Sequence, residues 1–73
     1  MFLRLNEFET GKVVRVNVSN MVYYKTIRFQ RGTSGDRVEA PGIRIENAPI
    51  LLVVTETVEQ IDDLLKESYH YIK

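Results

Sequence analysis

The chain has no cysteine and a single histidine, His70, among its 73 residues. Without cysteine there can be neither a disulfide framework nor a thiolate metal site. A lone histidine lacks the partners that a zinc site needs, and His70 reads instead as a cation near the end of a helix. Long apolar runs are also missing. The longest, Ile50 to Val54, falls far short of the roughly 20 residues that cross a bilayer. The opening Met1-Phe2-Leu3-Arg4-Leu5 has no basic stretch leading into a longer apolar one, so neither secretion nor membrane insertion is expected and a cytoplasmic location is. In that setting the sequon Asn17-Val18-Ser19 reads as chance.

What is present is the composition of a folded protein, with 44% hydrophobic and 27% charged residues. Residues 1–73 are read as a single domain with no repeat, linker or low-complexity tract. A chain this short buries only about 60% of the surface its unfolded form exposes, so its core is thin. At about 0.05–0.15 kcal/mol per residue its stability amounts to roughly 4–11 kcal/mol. Such a chain has no room for a deep substrate cavity.

Net charge is zero, yet the charges are unevenly distributed. Residues 1–44 hold eight Lys/Arg against four Asp/Glu, and residues 45–73 hold two against six. Two outcomes are open: a basic sheet region and an acidic helix that each steer a complementary partner, or halves that neutralise one another once folded.

The hydrophobic pattern predicts mostly strand. Over Phe2 to Phe8, Leu3 and Leu5 share one side, and a turn follows at Glu9-Thr10-Gly11-Lys12. Lys12 to Val18 alternates with period two, placing Val14, Val16 and Val18 on one face. Beyond a turn at Ser19-Asn20, Met21 to Arg31 is rich in β-formers, with Tyr23, Lys25, Ile27, Phe29 and Arg31 on one face and Val22, Tyr24, Thr26, Arg28 and Gln30 on the other. Gly32-Thr33-Ser34-Gly35-Asp36 reads as a hairpin loop. Arg37 to Glu46 is expected to return as a strand interrupted at Pro41-Gly42. Ile50 to Val54, apolar on both faces, suits either a covered central strand or a short strand running under a helix.

The helix that closes the chain carries its own start signal. Thr57 and Gln60 make a capping box, and Val58, Ile61, Leu64, Leu65 and Ile72 recur at helical spacing. Glu59, Asp62, Asp63, Lys66, Glu67 and His70 are left for solvent, with acids early and bases late as the helix dipole favours. The expected fold is α+β, a small antiparallel sheet of four or five strands with one C-terminal helix.

No group of residues calls for catalysis. Asp62 and Asp63 are neighbours that point about 100° apart on a helix. Glu59 and Asp63 share a face, but carboxylates in the first turns stabilise a helix without further purpose. The run Arg31 to Arg37 lacks the Gly-Lys-Ser/Thr of a phosphate loop and leads into a strand, so it reads as a hairpin tip. The chain is therefore expected to work without enzymatic activity, metal or cofactor, as a monomer that binds another macromolecule. The residues chosen for partner binding are Tyr24, Arg28, Arg37 and Arg44 on the sheet, or Glu59, Asp62 and Asp63 on the helix. Tyr and Arg are the usual anchors of protein interfaces. Interleaved on a β surface they also stack bases and neutralise phosphates, so a nucleic-acid-binding β-domain is the alternative. Zero net charge favours the protein partner.

Two resemblances add to this. Val54-Thr55-Glu56-Thr57-Val58-Glu59-Gln60-Ile61 resembles the end of the small flagellar-locus regulators, with Thr57 and Gln60 in place of their Ser and Glu; a capping box alone gives the same pattern. In length, opening residues and β-then-helix plan, the whole chain resembles the very small phage-encoded transcription regulators that bind host RNA polymerase. That second resemblance implies a stoichiometric inhibitor of initiation, with possible antitermination, working in the host cytoplasm by contact with polymerase subunits.

Overall fold

The structure, a computed structural model, describes residues 1–31 and 35–71, with side chains described at 1–30 and 35–67. The predicted Gly32-Thr33-Ser34 part of the hairpin loop, Ile72 and the His70 side chain lie outside the described residues. The fold is α+β: five antiparallel strands followed by one helix. In chain order these are β1 (Phe2–Asn6), β2 (Val13–Asn17), a 3-10 turn (Val18–Asn20), β3 (Met21–Arg31), β4 (Asp36–Ile45), β5 (Leu52–Val53) and α1 (Val58–Tyr71).

The strands form two small sheets, where the sequence reading expected one. β1 pairs with β2, and β3, β4 and β5 form the second sheet in that order. The seam between them is short because β5 has only two residues. Beyond it Val54 bridges to Glu7, the Phe8 amide donates to the Val53 carbonyl at 2.9 Å, and the Thr55 amide donates to the Asn6 carbonyl at 2.9 Å. The stretch Leu52 to Thr55 is thus bonded on both edges before the chain turns into the helix, with Val54 fully buried and Leu52 and Val53 half-buried.

Alternation sets the core. Leu3 and Leu5 from β1 and Val16 from β2 point the same way, as their period predicts, and meet Ile43, Val54 and Ile61. Leu5, Ile43, Val54 and Ile61 are fully buried. The helix delivers Ile61 to this cluster because the capping box fixes its first turn: the Thr57 amide donates to Gln60 Oε1 at 2.8 Å and the Gln60 amide to Thr57 Oγ1 at 3.1 Å. Val58 is half-buried, and Leu64 and Leu65 pack against the core.

β4 runs through Pro41-Gly42 without the expected interruption. The Pro41 carbonyl accepts from the Val54 amide at 3.0 Å, so the backbone groups of this residue point to the β5 edge. The N–H that proline lacks is therefore missing on that edge, and the long ladder with β3 keeps its bonds. Irregularity falls in β3 instead, where the register shifts between Met21 and Tyr23. The expected turn at residues 9–12 is present, and Gly11 supplies the positive φ (71°) that it requires.

Candidate functional site: the two faces of the long hairpin

At about 3.3 Å per residue the eleven residues of β3 reach some 36 Å, longer than any other element. The molecule measures 48 × 24 × 20 Å. Residues paired across an antiparallel ladder share a face, so the register of β3 with β4 sorts the candidate residues. Tyr24/Ile43, Thr26/Pro41, Arg28/Glu39 and Gln30/Arg37 lie on one face, the one that carries α1. Tyr23/Arg44, Lys25/Gly42, Ile27/Ala40 and Phe29/Val38 lie on the other. The register shift puts Met21 on the helix side with Tyr24, and leaves Val22 exposed (61%).

On the helix side, Tyr24 and Asp62 hold each other: the phenol donates a short hydrogen bond to Asp62 Oδ1. Asp62, expected to face solvent, is half-buried by this contact. The bond to Asp62, then burial, then the nearby negative charge push the Tyr24 hydroxyl from its ordinary 10.0 up to about 12. Both residues were chosen as partner contacts, and both are engaged in attaching α1 to β3.

Arg28 and Arg37 lie further along this face, past the reach of the core. Arg28 Nε is 2.6 Å from Glu39 Oε1 in an exposed ion pair, and both arginines border an open hollow with Phe29 and Gln30. Arg44 is on the opposite face, its guanidinium reaching the Ala48 carbonyl at 3.4 Å. The four sheet residues are thus divided between the two faces of the hairpin.

Beside Arg44, on the face away from the helix, Tyr23 is 44% exposed and the Lys25 ammonium lies 5.6 Å from the centre of its ring. That Tyr23 and Lys25 share a face was legible in the sequence from their period-two spacing, while Arg44 joins them through the β3–β4 register. What the sequence could not show was which tyrosine would be claimed by the helix. Further along the same face are Ile27, Phe29, Val38 and Ala40, and Phe8 meets Phe29 edge-on with ring centres 5.5 Å apart.

The helix acids also separate. Asp62 belongs to the flank that meets β3, while Glu59 stays exposed between the angular positions of Asp62 and Asp63. Asp63 borders a different hollow, with Arg4, Glu56, Gln60 and Glu67. Glu56 itself is tied inward, both carboxylate oxygens accepting from the Asn6 amide at 2.9 and 3.1 Å. The Arg28–Glu39 pair lies within the basic half of the chain, whereas Arg4 borders a hollow with Glu56, Asp63 and Glu67 of the acidic half, where charges of the two halves come together. Among the described residues, no three His, Cys, Asp or Glu side chains gather as a metal set would require.

Comparison of the chain with protein-family models, with curated proteins and with solved structures gives no match.

Proposed function

We propose that this protein is a non-enzymatic binding module that attaches to bacterial RNA polymerase and regulates transcription, inhibiting initiation. Antitermination is the further effect that the phage-regulator resemblance implies, and the host cytoplasm is where this would occur. One observation carries the binding reading: a long hairpin holds an exposed Tyr23, Lys25 and Arg44 together on one face and Arg28 and Arg37 on the reverse. Tyrosine and arginine are the side chains enriched at the anchor points of protein interfaces. The polymerase as partner is supported by the resemblance alone.

Other polar groups of the fold are already engaged internally. Thr57 with Gln60, Asn6 with Glu56 and Tyr24 with Asp62 each complete a structural bond. The exposed hairpin cations and Tyr23 lie outside these structural bonds. Among the described residues, moreover, no helix is long and apolar enough to cross a membrane.

Immobilised protein exposed to a bacterial lysate at low salt is expected to retain polymerase subunits, identified by mass spectrometry. Failure to retain any subunit contradicts the proposal. Nucleic acid on the same basic and aromatic surface is the competing outcome: oligonucleotide affinity would fall steeply as salt rises, because phosphate binding releases counterions.

A further inference from the structure

β3 is the edge strand of its sheet, hydrogen-bonded to β4 and, among the described residues, to no other strand. Because the backbone groups of Pro41 point to β5, its partner Thr26 stands at a non-hydrogen-bonded position of the β3–β4 ladder. Alternation then aims the N–H and C=O groups of Tyr24, Thr26, Arg28 and Gln30 away from β4, while those of Lys25, Ile27 and Phe29 serve the ladder. The flanking side chains of Thr26, Arg28 and Gln30 are exposed. A long edge of this kind is a template for another strand.

We infer that the edge is occupied by the β3 strand of a second copy, antiparallel about a two-fold axis at Ile27. In that register Thr26 faces Arg28 of the second copy and Tyr24 faces its Gln30, so that all four outward positions exchange hydrogen bonds. Lys25 falls opposite Phe29 and Ile27 opposite itself. No cation among residues 24–30 stands directly across from another, which is the arrangement cross-strand pairing favours. Moving the axis by one residue to Arg28 would set that arginine against its own copy.

Charge complementarity supports this occupant. A two-fold axis normal to the sheet keeps the helix-bearing faces of both copies on one side, so Arg28 of each copy lies on the side of the sheet that carries Asp62 of the other. The uneven distribution of charge along the chain then acts between copies. The sequence reading expected a monomer because composition says nothing about an open edge. The dimer leaves Tyr23 and Arg44 uncovered on the opposite face and draws Arg28 into the contact between copies.

The test is Thr26→Pro. Proline at this position removes an outward donor and places its ring against the incoming strand while sparing the β3–β4 ladder. Sedimentation of the wild type from millimolar to low micromolar concentration is expected to show a dimer dissociating to monomer. The variant is expected to dimerise about thirtyfold more weakly or less, from two lost bonds per dimer. A wild type monomeric throughout overturns the proposal, as does a dimer that the substitution leaves unchanged. Should the variant not fold, amide hydrogen exchange of the wild type decides. Protection at Thr26, Arg28 and Gln30 that rises with protein concentration supports the dimer, and protection that ignores concentration refutes it.

Discussion

Tyr24 and Asp62, 38 residues apart in sequence, are joined by a hydrogen bond that ties the helix to the long strand of the hairpin. Removing the hydroxyl by Tyr24→Phe keeps the ring packed against the core and takes away only the bond. A hydrogen bond to a charged acceptor contributes roughly 1.5–3 kcal/mol, less here because Asp62 regains water. The expected loss is about 1 kcal/mol by urea denaturation, and an unchanged midpoint with an unchanged slope contradicts the role assigned to this pair.

The same bond makes a prediction about pH. The Tyr24 hydroxyl holds its proton up to about 12 in the folded protein, against an ordinary value of 10.0. The folded state therefore binds this proton more tightly than the unfolded chain does. The resulting stabilisation is fully present below pH 10 and is lost as pH rises towards 12. Ultraviolet titration of the folded protein is expected to show one late-ionising tyrosine that disappears in Tyr24→Phe.

Helix initiation is tested at the capping box. Thr57→Ala removes the acceptor for the Gln60 amide and is expected to cost about 1 kcal/mol, whereas Thr57→Ser is expected to be near neutral. Equal losses in the two variants, measured by denaturation, would show that the methyl group matters and the cap does not.

Much of this was readable from residue pattern, and the exceptions share a cause. The capping box, the Leu3/Leu5 face and the two faces of β3 follow from spacing, because local geometry determines them. The division into two sheets, the unbroken β4 and the half-buried Asp62 depend on contacts distant in sequence. Pro41 looked like an interruption because the direction of its missing donor is set by where Val54 arrives. Asp62 looked solvent-facing because helical spacing cannot tell that Tyr24 stands opposite. For the candidate site, the residue types were legible and their distribution between faces was legible only within β3. Arg44 could be assigned a face only once the β3–β4 register was known.

The thin core leaves little margin. Ile61 is fully buried, and truncation to alanine is expected to cost roughly 2–5 kcal/mol, a large share of a total of about 4–11 kcal/mol. Arg28→Ala breaks only an exposed ion pair with Glu39, and its effect on stability is expected to stay below about 1 kcal/mol. Thermal melting separates the two: Ile61→Ala should be largely unfolded at temperatures where Arg28→Ala remains native.

Because Arg28→Ala and Arg44→Ala spare the fold, they isolate recognition from stability. The most direct measurement is transcription from a promoter by purified bacterial polymerase, titrated with the wild-type protein and with the doubly substituted Arg28→Ala/Arg44→Ala protein. The account predicts that initiation falls in proportion to added wild type, saturates at a fixed ratio to polymerase, and is relieved in the double variant. Full initiation in the presence of excess wild-type protein contradicts it.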